Sequence, residues 1–195
     1  MWGTVGMIQK NKSFLGNTII GVTGLSGAGT STAASILKKM GGYVISADKL
    51  AHEIMAQEET KSEIIAMFGT ADRKQLGEIV FRDPEKLAAL EKIIHPRVIA
   101  KTLELTKAYP IAIIDAPLLV ESGLHKICDT VILVTASEET RLARILSRDG
   151  IDRDAALRRF ASRKGEEYLK PFATHIINND GDVSHLERAL HEKTL

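Results

Sequence analysis

The residues best suited to chemistry in this chain are grouped in Gly24-Leu25-Ser26-Gly27-Ala28-Gly29-Thr30-Ser31-Thr32. Their spacing is that of Gly-x-x-x-x-Gly-Lys-Ser/Thr, a loop whose backbone N–H groups and following helix N-terminus wrap phosphate oxygens. Gly24, Gly27, Ala28, Gly29, Thr30, Ser31 and Thr32 are therefore expected to form a phosphate cradle. Thr30 stands where the lysine belongs, so a mobile cation is replaced by a neutral hydroxyl. Ser31 occupies the position whose hydroxyl ligates Mg²⁺. Asp115, closing the apolar run Ile111 to Ile114, has the place of a second metal-holding carboxylate; capping a strand end is its other reading. Asp48 puts a carboxylate where it could accept or orient the proton of an attacking hydroxyl, or cap a helix beginning near Leu50. The charge missing from the loop has a source between Arg141 and Lys170, where nine Lys and Arg outnumber five Asp and Glu. Arg144 and Arg148, four residues apart, share a helix face and suit a clamp on a transferring phosphoryl group. A solvated face with ordinary ion pairs is the alternative for that run.

These groups need a scaffold, and the apolar pattern supplies one. Thr18 to Thr23 is a short β-branched run bounded by glycine, as for a strand buried on both faces. Ala34, Ile36, Leu37 and Met40 then recur at helical spacing, and Gly41-Gly42 supplies a stop. Tyr43 to Ser46 reads as a second strand. A helical middle follows from about Lys61 to Tyr109, with breaks expected around Phe68 to Asp72, at Asp83-Pro84 and at His95-Pro96. Ile111 to Asp115 and Thr130 to Thr135 are two further strands, and Ser137 is placed to cap a helix with Glu138 and Glu139 in its first turn. His175 to Ile177 and Val183 to Lys193 complete the pattern as a last strand and a closing helix. The βαβ order implies a doubly wound α/β core with a parallel sheet, and places ligands beyond the carboxyl ends of its strands.

The chain has 195 residues, of which 44% are apolar and 26% charged, and its mean hydropathy is -0.02. That composition excludes wholesale disorder, and no apolar run approaches the roughly 18 residues of a spanning helix. With 26 Lys and Arg against 25 Asp and Glu, the net charge of +1 argues against a nucleic-acid binder held by bulk charge. The lone cysteine, Cys128, has no partner for a disulfide or a zinc site and points to a reducing compartment, so a cytoplasmic protein is expected. Residues 1–17 lack the continuous apolar stretch of a secretory signal and read as an extension before the first strand.

Taken together, these motifs resemble the dephospho-coenzyme A kinase family. The resemblance runs from Ile19 to about Leu190 and follows the family's order: the loop at Gly24 to Thr32, Ala47-Asp48 with Ala51, Phe68-Gly69, Arg73 with Leu76, and Phe81 with Pro84. His95-Pro96, Asp115 to Glu121, Cys128-Asp129, Arg144 with Arg148-Asp149, and Asn179 with Gly181 follow. The Pro-Leu-Leu-x-Glu stretch, combined with the loop and the His-Pro pair at these separations, is the specific part.

The resemblance implies a P-loop nucleotide-kinase-like three-layer fold, with a parallel five-stranded sheet, a helical acceptor-binding insertion and a helical lid. It divides residues 18–195 into a core (18–54, 109–140 and 171–195), an acceptor-binding insertion (55–108) and a lid (141–170). The implied substrates are the small molecules ATP and dephospho-CoA, with Mg²⁺ as cofactor and no nucleic acid or membrane partner; oligomeric state is left open. Asp48 matches the catalytic aspartate, Arg144 and Arg148 the lid arginines, and Asn179 a nucleotide-side residue. Arg73, His95, Pro117, Leu118, Leu119 and Glu121 match the acceptor side. Four positions depart from the family pattern: Thr30 for lysine, Ser46 for the first acid of Asp-x-Asp, Arg163 for glutamine and Thr174 for an aspartate before the last strand. Two other readings stay open. One is a P-loop kinase for a different hydroxyl, suggested by the likeness of this loop to the Gly-Ser-Ser-Gly-Ala-Gly-Thr-Ser-Thr loop of bacterial phosphoribulokinases. The other is a catalytically weakened paralogue that binds nucleotide or CoA.

Overall fold

The computed structural model describes residues 17–80, 82–161 and 164–194. The expectations resting on residues 1–16, Phe81 and Arg163 fall outside them. The described residues divide into two compact units, one of residues 17–45 and 106–194 and the other of residues 46–105.

The first unit is built on β1 (Thr18–Gly24), followed by α1 (Thr30–Lys39) and β2 (Tyr43–Ser46). The second unit carries α2 (Ala47–Ala56), α3 (Glu58–Phe68), α4 (Arg73–Val80) and nearly all of α5 (Pro84–Thr106). The chain then returns to the sheet with β3 (Ile111–Asp115) and β4 (Thr130–Thr135), continues through α6 (Glu138–Asp149), α7 (Arg153–Ala161) and α8 (Glu166–Leu169), and ends with β5 (His175–Asn178) and α9 (Val183–Thr194).

The sheet order is β2-β3-β1-β4-β5. β1 pairs in parallel with both β3 and β4, and β4 with β5. Chain leaving β1 crosses toward β2, whereas chain leaving β4 goes the opposite way to β5. The crevice at the carboxyl ends of β1 and β4 is therefore the topological switch point, where open α/β sheets bind ligands. Continuous apolar runs make β1, β3 and β4 because both faces of the middle of the sheet are covered. Ile20 and Val22 pack with Leu37, Ile132, Ile177 and Leu186 beneath α1 and α9, while Leu133 packs on the other face with Val120 and Leu169. Burying such side chains contributes about 1.5–3 kcal/mol each.

Several helix ends follow from single residues. Gly41 takes φ +104°, and the Gly42 N–H donates to the Leu37 carbonyl, closing α1 as the glycine pair predicts. Ser137 accepts from the Thr140 N–H at the start of α6. Two expectations are corrected. The cap before α2 is Ser46, which accepts from the Lys49 N–H, so the helix begins at Ala47 and Asp48 is its second residue rather than its cap. The expected break at His95-Pro96 is absent, since α5 runs through both. Proline removes one ladder hydrogen bond and crowds the preceding turn. The Arg97 guanidinium bridges that region, donating to the Ile93 carbonyl at 2.7 Å and to Glu63 of α3 at 2.7 Å.

Cys128 precedes β4, and its Sγ–H donates to the Leu124 carbonyl at 3.4 Å. Burial, and secondarily the neighbouring Asp129, pushes its thiol up to about 12. The folded protein is expected to resist maleimide labelling at pH 8 and to label only when unfolded, as a labelling time course with and without denaturant would show. Rapid labelling in the native state would contradict the packing described.

Candidate active site

The loop between β1 and α1 owes its shape to two glycines in left-handed conformation. Gly27 has φ +83° and Gly29, the residue before α1, φ +99°. A Cβ at Gly27 would stand 2.6 Å from the Arg141 carbonyl oxygen, and one at Gly29 would collide with the Asn179 side-chain amide. Glycine is thus required at both positions for conformation and for space. The first turn of α1 contains Thr30, Ser31 and Thr32 and no acidic residue. Its backbone N–H groups have no helical carbonyl to bond, and the helix dipole adds positive potential, so the loop is shaped for an anion.

Residues from distant elements hold this loop from behind. Asn179, just after β5 and buried, donates from Nδ2 to the Ala28 carbonyl at 2.7 Å, while its own backbone N–H donates to the Thr135 carbonyl at 2.7 Å. Arg144 of α6 donates to the Asn179 carbonyl at 2.8 Å and to the Gly27 and Ala28 carbonyls, each at 3.4 Å. Both residues act on the carbonyl side of the loop, an arrangement that fixes which way its N–H groups face. Asp180 ties the same region to α6: its carboxylate accepts from the Ser137 N–H and Oγ–H, each at 2.8 Å, and from Asn178 Nδ2 at 2.8 Å.

Ser31 donates from Oγ to Asp115 Oδ2 at 3.2 Å, which brings together the two residues expected to hold a metal. The shared face of Arg144 and Arg148 does not produce a joint clamp here. Arg148 donates from Nε and Nη2 to Asp149, at 2.6 and 2.9 Å, and Arg159 of α7 donates to the same carboxylate at 2.6 Å. The Arg148 hydrogen bonds, with Arg159 adding, hold the Asp149 carboxyl down at about 2. Hydrogen bonds from Asn178 first, and then from Ser137, hold Asp180 well below the usual carboxylate range.

A depressed carboxyl stabilises the folded state fully above its unfolded pKa of about 4 and loses that contribution as pH falls through the folded value. Melting temperature should therefore decline as pH falls from about 4 to about 2, where the unfolded chain takes up protons that the folded Asp149 and Asp180 carboxylates resist, and Asp180→Asn should flatten part of the decline in a thermal melt series. A melting temperature constant across that window would show that these bonds do not anchor α6.

The acceptor-side candidates separate. After Asp115, Leu119 is fully buried and its carbonyl accepts from the His125 N–H at 3.0 Å, so it is a core residue. Pro117 and Leu118 are half-buried, and their carbonyls accept from Thr23 Oγ1 at 3.4 Å and Ser122 Oγ at 2.7 Å. Glu121 is exposed. In the second unit, Arg73 Nη2 lies 2.9 Å from His52 Nε2, His95 is half-buried within α5, and Asp48 is exposed in the first turn of α2 with no hydrogen-bond partner among the described residues. Two departures from the family pattern have local tasks. Ser46 caps α2, and Thr174 Oγ1 accepts from the Val131 N–H at 3.1 Å where β5 joins β4.

Sequence reading missed the supporting role of Asn179 and Arg144, because the Asn179–Ala28 contact spans 151 positions and leaves no local pattern. It counted Arg141 among the cations of residues 141–170 without singling it out, and its backbone carbonyl packs against Gly27.

A glycine-shaped anion loop at the switch point of this five-stranded parallel sheet, with a serine–aspartate pair at its end, defines a P-loop kinase fold. The comparisons refine that class. The family model described as Dephospho-CoA kinase matches residues 18–185. A dephospho-CoA kinase from Fusobacterium nucleatum is 39% identical over 178 residues, covering 86% of this chain and 92% of the relative. One from Streptomyces avermitilis is 37% identical over 181 residues, covering 87% and 88%. The crystal structure of TT1252 from Thermus thermophilus has a TM-score of 0.81 at 34% identity, covering 92% of this chain and 97% of that one. The chain belongs to the dephospho-CoA kinase family.

Proposed function

We propose that this chain transfers the γ-phosphoryl group of ATP to the ribose 3′-hydroxyl of dephospho-CoA, giving CoA and ADP, the last step of coenzyme A formation. The observation that carries the reading is the phosphate cradle: a family member at near full length keeps both left-handed glycines, the unencumbered first turn of α1 and the Ser31–Asp115 pair.

In this reading the P–O bond from the γ-phosphorus to the β-phosphate breaks, a bond from that phosphorus to the 3′-oxygen forms, and the hydroxyl proton passes to Asp48. Asp48 suits the task because its carboxylate is exposed and is not engaged as a helix cap. The N–H groups of the loop and of the first turn of α1 hold the nucleotide's phosphates. Arg144 and Asn179 keep the loop in register, and phosphoryl transfer relies mainly on such positioning and charge stabilisation. Arg148 reaches the transferring group only by exchanging its bonds to Asp149. Arg73, His95, Pro117, Leu118 and Glu121 are the acceptor-side residues, and residues 141–170 act as the lid.

Ser31 and Asp115 fit Mg²⁺: a hydroxyl and a carboxylate are hard oxygen donors, and their side chains already meet. Among the described residues no three His, Cys, Asp or Glu side chains cluster as a metal cage. The ion would accordingly share these two residues with phosphate and water, supplying neutralisation of phosphate charge. No described helix is long and apolar enough to cross a membrane. The lone Cys128, half-buried and protonated, suits the reducing cytoplasm in which we place the enzyme.

The test is ADP release coupled to dephospho-CoA. ADP and CoA should form in equal amounts only when ATP, Mg²⁺ and dephospho-CoA are all present. No turnover by the folded protein would overturn the reading. Thr30 favours a second reading, a family member that binds nucleotide without efficient transfer, and tight ATP binding in the absence of CoA formation would establish it.

A further inference from the structure

Arg141 lies in α6 one turn after the Ser137 cap, on the same helix face as Arg144 and Arg148, yet its surroundings differ from theirs. It is 9% exposed, and its guanidinium carbon sits 4.3 Å from the centroid of the Phe160 ring of α7. Its Nε is buried and makes no hydrogen bond among the described residues, and no carboxylate among them pairs with the side chain. A guanidinium withdrawn from water is costly unless an anion completes it, and an aromatic face offsets only part of that cost.

Arg141 lines a cavity of about 360 Å³ together with Leu25 and Ser26 of the loop, Glu138, Phe160 and Lys164. Arg159 lies at its edge, already bonded to Asp149. Lys164 rests over the Tyr168 ring at 3.9 Å. The cavity thus opens on the loop that lacks a lysine. Glu138 is its one acidic lining residue, against Arg141, Arg159 and Lys164.

We infer that Arg141 is the phosphate-binding cation that replaces the absent P-loop lysine, with its guanidinium taking the terminal phosphate of the bound nucleotide in this cavity. Position favours it over the other cations: its own backbone abuts Gly27, so a change at either residue is transmitted to the other. The planar fork offers several donors from a fixed, ring-backed position, which a neutral Thr30 hydroxyl cannot do. This rests on the ATP-dependent reading given above, and assigns a residue and a subsite to it.

The test uses the full chain and inorganic tripolyphosphate, followed by calorimetry. Arg141→Gln should weaken tripolyphosphate binding about tenfold or more, and Arg141→Lys should recover part of the loss. Thr30→Lys should restore binding in the Arg141→Gln background by about tenfold, while improving the unmutated chain by no more than about threefold. A purely structural role for Arg141 would give no such rescue, so additive effects of the two substitutions overturn the inference. Should Arg141→Gln fail to fold, the unmutated chain gives a second readout. The Arg141 Nε–H resonance in an arginine-labelled sample should shift as tripolyphosphate saturates, and a resonance that stays in place overturns the inference. Binding through Arg141 without phosphorylation of dephospho-CoA would leave this inference standing and overturn the proposed function. Full turnover by Arg141→Gln with an unchanged KM for ATP would overturn this inference alone.

Discussion

Asp48→Asn is expected to lower kcat for CoA formation by about two to four orders of magnitude, the range in which a positioned acid–base group contributes. The substitution keeps shape and polarity but cannot accept the 3′-hydroxyl proton. Because Asp48 is exposed and bonds to no described residue, folding should be indifferent to it, with melting temperature within about 1 °C of the unmutated chain. ATP affinity should be equally unaffected, since the phosphate cradle is built from other elements. Steady-state kinetics with dephospho-CoA, beside a thermal melt and an ATP titration, separates these expectations. A fall in kcat of less than about tenfold would remove Asp48 as the base.

Asn179→Ala should have the largest effect on the cradle itself. It removes the 2.7 Å bond to the Ala28 carbonyl and leaves that buried acceptor with only the long 3.4 Å approach of Arg144. An unsatisfied buried group costs about 1–3 kcal/mol, which in a chain of this size lowers the melting temperature by about 3 to 10 °C. The consequence for function should be larger. With the carbonyl unanchored, the Gly27 to Gly29 segment can turn its N–H groups away from the phosphates, and ATP should bind at least about tenfold more weakly. Asn179→Asp is the sharper variant, because it opposes a carboxylate to the Ala28 carbonyl and should weaken ATP further than alanine does. Equal ATP binding by all three proteins would mean that the loop holds its shape unaided.

The physical reasons for what was readable in the sequence differ from element to element. β1, β3 and β4 announce themselves because buried parallel strands need uninterrupted apolar, β-branched runs, and the ends of α1 and α6 because Gly41 and Ser137 carry local turn chemistry. The cradle is readable for the same reason: its geometry is encoded within nine consecutive residues. Proline at position 96 misled, because α5 continues through it, with the adjacent Arg97 bonded to the Ile93 carbonyl and to Glu63. Asp48 was open to a capping role that one residue, Ser46, two positions earlier, takes instead. The supporting bonds of Arg144, Asn179 and Asp180 were not readable, because each joins residues that only the folded sheet makes neighbours. Arg141 illustrates the limit from the other side. Its type and spacing are those of any cationic helix face, and only its burial against Phe160 distinguishes it from the exposed Arg148.

The clasp between Asn179 and Ala28 also bears on when the enzyme acquires its ligand. A ribosome delivers the glycine-rich segment early, but the amide that shapes it arrives about 150 residues later, after β5 has been made. Contacts of such long separation form late and slowly in folding. A nascent chain halted before residue 175 should accordingly display the whole motif and yet be blind to nucleotide. Competence would then appear when the final strand docks beside β4.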